Sequence, residues 1–112
     1  MTIYDPFDVV AVPFPFTDKA KQKPRPALVI SSRGFNAARD HVILTMITTA
    51  ARTQWPSDVP VKDLTAAGLT SSSVARFKCF TLEEAIVSRK IGALAKHDRS
   101  EALAALQRFL VR

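Results

Sequence analysis

The chain has 112 residues, 47% of them hydrophobic and 23% charged, which fits one globular domain with one core and excludes a disordered segment. Sixteen Lys and Arg against ten Asp and Glu leave a net charge of +6, so the expected partner is a polyanion, nucleic acid first, or an acidic protein. No apolar run approaches the roughly 20 residues of a membrane helix. The start, Met1-Thr2-Ile3-Tyr4-Asp5-Pro6, lacks the basic and apolar parts of a leader, and the lone Cys79 excludes an internal disulfide, so a reducing cytoplasm is expected.

Asp8 to Pro13 reads as a first strand, its Val9-Val10-Ala11-Val12 run small and β-branched. Pro13 and Pro15 interrupt it, so Phe14-Pro15-Phe16 is extended without being central ladder. Thr17 to Lys23 is a lysine-rich loop. The second strand is expected from Pro26 to Ser32, led in by Pro24-Arg25-Pro26. Each proline fixes its own φ and biases the residue before it toward extended geometry, which puts the Arg25 guanidinium on a stiff mount at the strand mouth. A solvated arginine at an ordinary strand start is the simpler alternative. Arg33-Gly34-Phe35-Asn36 is a turn signal, continued through Ala37 to Asp40.

A mostly apolar third strand spans His41 to Thr49, and a short fourth Asp58 to Val61. Lys62 to Gly68 holds one helical turn that Gly68 ends. Ser71 to Phe77 alternates as a strand, with Lys78 to Leu82 extending it after a bend. Ile86 to Ile91 is a further strand, closed by Gly92. In the C-terminal helix, Asp98 and Glu101 have the spacing of a capping box, and Leu103, Leu106, Phe109 and Leu110 share the face expected to pack on the sheet. The sum is a mainly β fold, a small curled antiparallel sheet with a terminal helix.

The chemistry available is narrow. His41, His97 and Cys79 are far apart and show no metal-ligand spacing, and no cofactor signature is present. His41 reads as a strand-edge residue, His97 as the start of the last helix, and Cys79 as a small core residue. Glu83-Glu84 would point opposite ways on a strand, and the three glycines form no phosphate loop. What remains is Arg25 and the hydroxyls of Thr45, Thr48 and Thr49. If the second and third strands pair antiparallel, Thr48 comes beside Arg25. A guanidinium fork with a hydroxyl suits a phosphate, and Lys21, Lys23, Arg76 and Lys78 would track the rest of a nucleic-acid backbone.

The segments Asp8-Val9-Val10-Ala11-Val12-Pro13-Phe14-Pro15-Phe16-Thr17-Asp18 and Arg25-Pro26-Ala27-Leu28-Val29-Ile30-Ser31 resemble the MazF/PemK family of toxin endoribonucleases. Phe35-Asn36, Ile47-Thr48-Thr49, Gly68-Leu69 with Ser73-Val74, and Ile91-Gly92-Ala93-Leu94 carry the resemblance along nearly the whole chain. It implies an SH3-like barrel that forms homodimers, cuts single-stranded RNA without metal, and is held inactive by an antitoxin with a flexible acidic segment. Arg25 and Thr48 then resemble the catalytic pair, with Phe16, Lys21, Lys23, Ser31, Thr49, Arg76 and Lys78 as RNA contacts. The sequence names no general base. Two departures stand out: Phe7-Asp8 where the family commonly has Gly-Asp, and Cys79 after the fifth strand. Two rival readings remain, a non-catalytic relative that inhibits a protein such as DNA gyrase, and a plain nucleic-acid-binding module.

Overall fold

The computed structural model describes residues 2–14, 19–50 and 54–110. Its strands are β1 (Asp8–Phe14), β2 (Lys23–Val29), β3 (His41–Thr49), β4 (Val59–Pro60), β5 (Ser73–Glu83) and β6 (Arg89–Ala93). Its helices are α1 (Arg33–Arg39), α2 (Leu64–Ala67) and α3 (Lys96–Phe109), with short 3-10 turns at Lys19–Lys21 and Glu84–Ile86. The strands form one antiparallel sheet in the order β4-β5-β3-β2-β1-β6. No helix among the described residues is long and apolar enough to cross a membrane.

The unbroken apolar runs of β1 and β2 arise because both faces of these strands are covered. Val9 and Leu28 join a core with Ile47, Val59, Val61, Ala67, Ala75, Leu94 and Ala102. Val10, Val12, Ala27 and Val29 point the other way, into a second core with Tyr4, Val42, Leu44 and Val87. Successive side chains alternate between faces, so a strand buried on both loses its polar alternation.

Several expectations are corrected. The stretch read as a turn at residues 33–40 is α1. The Ser32 hydroxyl accepts from the Phe35 amide at 3.2 Å, and Asp40 closes the helix at φ 55°. Gly34 suggested a turn, but it falls in the first helical turn, where the N-cap dominates. The second strand starts at Lys23, three residues before Pro26, so Pro-Arg-Pro lies inside the strand. β4 is two residues long, not four. The expected strand at residues 86–91 begins only at Arg89, after the turn at Glu84–Ile86, and Gly92 lies within it rather than closing it. The bend in β5 is a bulge: Thr45 pairs with Cys79 and Met46 with Arg76, leaving Phe77 and Lys78 as extra residues. Cys79 is exposed, on a stretch of β5 beyond the reach of β4, and is not a core residue.

The C-terminal helix starts at Lys96, with Ala95 as its N-cap, so Asp98 does not open a capping box. Its buried carboxylate accepts from the Lys62 amide at 3.0 Å and the Asp63 amide at 2.9 Å, tying α3 to the start of α2. Ala102 is the α3 residue buried in the core, while Leu103, Phe109 and Leu110 are about half exposed. The Phe7 departure falls on a demanding position. Phe7 has φ 71°, and the Asp8 amide donates to the Asp5 carbonyl at 3.1 Å, a tight turn with Pro6 before a left-handed residue. Glycine meets that geometry without the steric penalty that Phe7 incurs.

Candidate active site

β2 leaves β3 before it leaves β1. Its ladder to β3 covers only Ala27↔Met46, Leu28↔Thr45 and Val29↔Leu44, while its ladder to β1 continues through Val12↔Arg25 to Phe14↔Lys23. The Ile30 amide donates to the Ile43 carbonyl at 2.9 Å, so the even-numbered amides of this segment face β3. Pro24 and Pro26 therefore lack their N–H groups on the side where the ladder to β3 has ended, and no donor is lost. Extending the Ala27↔Met46 register by two residues sets Arg25 against Thr48. Arg25 is exposed on this free stretch, and Thr48 is half buried and paired with Val74 of β5.

A cavity of about 640 Å³ opens where the two ladders part. Arg25, Thr48, Thr49, Arg76 and Lys78 line it, so five of the residues singled out in the sequence meet here. Arg89 of β6 and the wall Gly68-Leu69-Thr70-Ser71 complete it. The role of Arg89 was not legible, since it depends on the Ala11↔Arg89 pairing of the first strand with the last. No His, Asp or Glu is among the described residues lining the cavity, so the walls supply positive charge and hydroxyls but no general base. Among the described residues, no group of three or more His, Cys, Asp or Glu could hold a metal ion.

The other expected contacts lie elsewhere. Lys21 and Lys23 are exposed and do not line the cavity. Phe16 lies outside the described residues. Ser31 is corrected outright. It is buried, its hydroxyl accepts from the Ile43 amide at 2.9 Å and donates to Asn36 Oδ1, and Asn36 in turn donates to the Tyr4 carbonyl at 2.9 Å. That network joins the β2–α1 link, α1, β3 and the N-terminal segment. The Thr45 hydroxyl is also buried and donates to the Arg76 carbonyl. His41 Nδ1 donates to the Arg39 carbonyl at 2.6 Å, at the opposite end of β3 from Thr48. His97 sits in the first turn of α3, 3.9 Å from Glu101.

Arg76 lines the cavity but its fork is engaged. Nε and Nη2 donate to the two Asp58 carboxylate oxygens at 3.1 and 2.9 Å, with both side chains about one-tenth exposed. The hydrogen bonds from Arg76 hold the Asp58 carboxyl below its ordinary range, against the opposing effect of burial, and raise Arg76 in return. A guanidinium bound bidentately to a carboxylate is a structural charge more than a free phosphate clamp.

The sequence matches, over residues 5–110, the family model of the PemK-like, MazF-like toxin of type II toxin–antitoxin systems. The chain belongs to that family. Among solved structures, a mycobacterial endoribonuclease in complex with its cognate antitoxin gives a TM-score of 0.73 at 16% identity, covering 96% of this chain and 93% of that one. MazF from Deinococcus radiodurans gives 0.73 at 20% identity and 98% of each chain. The Mycobacterium tuberculosis toxin MazF-mt6 gives 0.71 at 22% identity, over 90% of this chain and 93% of that one. These likenesses carry the fold, an SH3-like barrel with a C-terminal helix. Among curated proteins none matches the chain.

Proposed function

We propose that this family member is the toxin of a type II toxin–antitoxin pair and a metal-independent endoribonuclease acting on single-stranded RNA, with Arg25 and Thr48 at the scissile phosphate. The observation that carries the reading is the shared cavity of Arg25 and Thr48 at the point where β2 and β3 part. Family membership supports an RNA-cleaving toxin. In the reaction the 2′-oxygen bonds to phosphorus and the bond to the 5′-oxygen breaks, leaving a 2′,3′-cyclic phosphate and a 5′-hydroxyl. The 2′-proton passes to solvent and the leaving 5′-oxygen takes up a proton from solvent. Negative charge grows on the non-bridging oxygens, where the Arg25 fork and the Thr48 hydroxyl both donate. Guanidinium scarcely deprotonates, so Arg25 acts by electrostatic stabilisation first. Lys78, Arg89 and Thr49 then contact the flanking backbone, and the exposed Lys21 and Lys23 add to the long-range field.

The regulatory partner is an antitoxin with an acidic segment, suited to a cationic cavity. Solved relatives include MazE–MazF from Deinococcus radiodurans and the mycobacterial enzyme with its antitoxin. A homodimer in the cytoplasm is the expected resting form, and light scattering on the purified chain tests the stoichiometry.

The deciding experiment incubates the chain with single-stranded RNA in EDTA. Cleavage with 2′,3′-cyclic ends is expected, and Arg25→Ala and Thr48→Ala should each lower kcat by about 10²–10³-fold, the usual effect of removing an oxyanion donor. Intact RNA, or equal cleavage by Arg25→Ala, would overturn the proposal. Growth inhibition without cleavage would point instead to a protein target.

A further inference from the structure

The Arg76–Asp58 pair holds a third residue. The Trp55 amide donates to Asp58 Oδ2 at 3.0 Å, and the Asp58 amide donates back to the Trp55 carbonyl at 3.0 Å. The Arg76 guanidinium carbon lies 5.2 Å from the centre of the Trp55 ring, and the Lys78 ammonium 5.4 Å from it. Asp58 thus fixes both the backbone that carries the indole and the cation beside it. Arg76 and Lys78 also line the cavity that holds Arg25 and Thr48, so the ring adjoins two of its walls. Trp55 nevertheless remains 38% exposed.

An exposed indole whose backbone is pinned by two hydrogen bonds and whose ring lies against two cations has already lost part of the freedom that ligand binding would otherwise remove. Its π-surface accepts any base, and nearby cations meet the adjoining phosphates. We propose that Trp55 is the stacking platform for a base of the single-stranded substrate next to the scissile phosphate, with Lys78 swinging from the ring to a phosphate of the same strand. Asp58 and Arg76 are positioning residues for it. The inference rests on the endoribonuclease reading and adds to it the residue that binds a base.

Trp55 is the chain's only tryptophan, so its fluorescence reports the stack directly. Titration uses a labelled single-stranded RNA with 2′-O-methyl groups throughout, which has no attacking hydroxyl. Quenching of Trp55 should saturate at the same concentration as the label's anisotropy. With cleavable RNA, Trp55→Leu should raise KM about 10- to 100-fold with kcat nearly unchanged, the range expected for one lost stack. Trp55→Phe keeps a π-face and should retain most of the affinity. Asp58→Asn should weaken quenching more than it weakens cleavage by a saturated enzyme. Binding without quenching, or Trp55→Leu behaving like Trp55→Phe, would overturn the assignment while cleavage in EDTA continued. Absence of cleavage by the unaltered chain would overturn the endoribonuclease reading and this inference with it.

Discussion

Gly92→Ala tests how closely α2 rides on β6, and through it the wall of the cavity. A Cβ at Gly92 would lie 2.4 Å from the carbonyl carbon of Ala67 and 2.6 Å from the carbonyl oxygens of Ala66 and Ala67. Ordinary contact starts near 3.4 Å, so helix and strand must separate by about 1 Å, and the obstacle is backbone that cannot rotate away. A gap of about 0.5–1 Å forfeits a quarter to a half of the dispersion attraction across it. Ala67 is fully buried in the core that includes Val9, Leu28 and Ile47, so the loss falls on close-packed atoms. We expect a cost of about 3 kcal/mol, the upper part of the overpacking range. In urea this lowers the unfolding midpoint by about 1.5 M for a slope of about 2 kcal/mol/M. Gly34→Ala is the control. Its new Cβ meets nothing nearer than Ser32 Oγ at 3.9 Å, and it should gain up to about 0.5–1 kcal/mol of helix stability. A cost below about 1 kcal/mol for Gly92→Ala, at unchanged slope, would refute the close crossing.

Two further outcomes separate structural from functional roles. Ser31→Ala leaves the Ile43 amide and Asn36 short of a partner and should cost about 1–3 kcal/mol in urea, with kcat per folded molecule unchanged; a tenfold lower kcat in fully folded protein would return Ser31 to the site. Asp58→Asn removes the charge that Arg76 holds. The folded carboxyl titrates below its ordinary value of 3.8, so its stabilisation is present above that pH and is lost as pH falls through the lower folded value. The Tm of the unaltered chain should exceed that of Asp58→Asn at pH 7, and the gap should close on acidification below about 3.8. A gap that does not narrow as the pH falls below 3.8 would show that the pair's charge is not what stabilises this region.

Much of the sheet was legible because its signals are local. The β-branched runs of β1 and β3, the stop at Gly68 and the bend before Cys79 each lie within a few residues of the feature they specify. The meeting of Arg25 with Thr48 was legible once an antiparallel β2–β3 pairing was assumed. What stayed hidden depends on distant partners. Arg76 could not be told from a phosphate ligand without Asp58, eighteen positions away in sequence. Ser31 looked like a site hydroxyl until α1 brought Asn36 beneath it. On α3 the larger residues suggested the buried face, but the close approach of β4 admits Ala102 and leaves Leu103 outside. Helical spacing finds a stripe, and the neighbour's distance selects which side chains fit it.

The position of the site follows from a single irregularity in the sheet. Between Thr45 and Met46 the β3–β5 register shifts, because β5 carries Phe77 and Lys78 as extra residues. A bulge increases local twist and bends its strand. At that same level β3 makes its last pair with β2, Ala27↔Met46, yet goes on beside β5 to Thr49↔Ser73. β2 meanwhile stays with β1 to Lys23. The two halves of the sheet therefore diverge, with Arg25 on one lip and Thr48 on the other. Arg76 borders the bulge, Lys78 lies in it, and both line the gap. Without prolines, the free edge of β2 would offer two amides for another strand to pair with. Pro24 and Pro26 remove those donors, so the gap cannot zip closed, and the Arg25 side chain remains open to an anionic ligand.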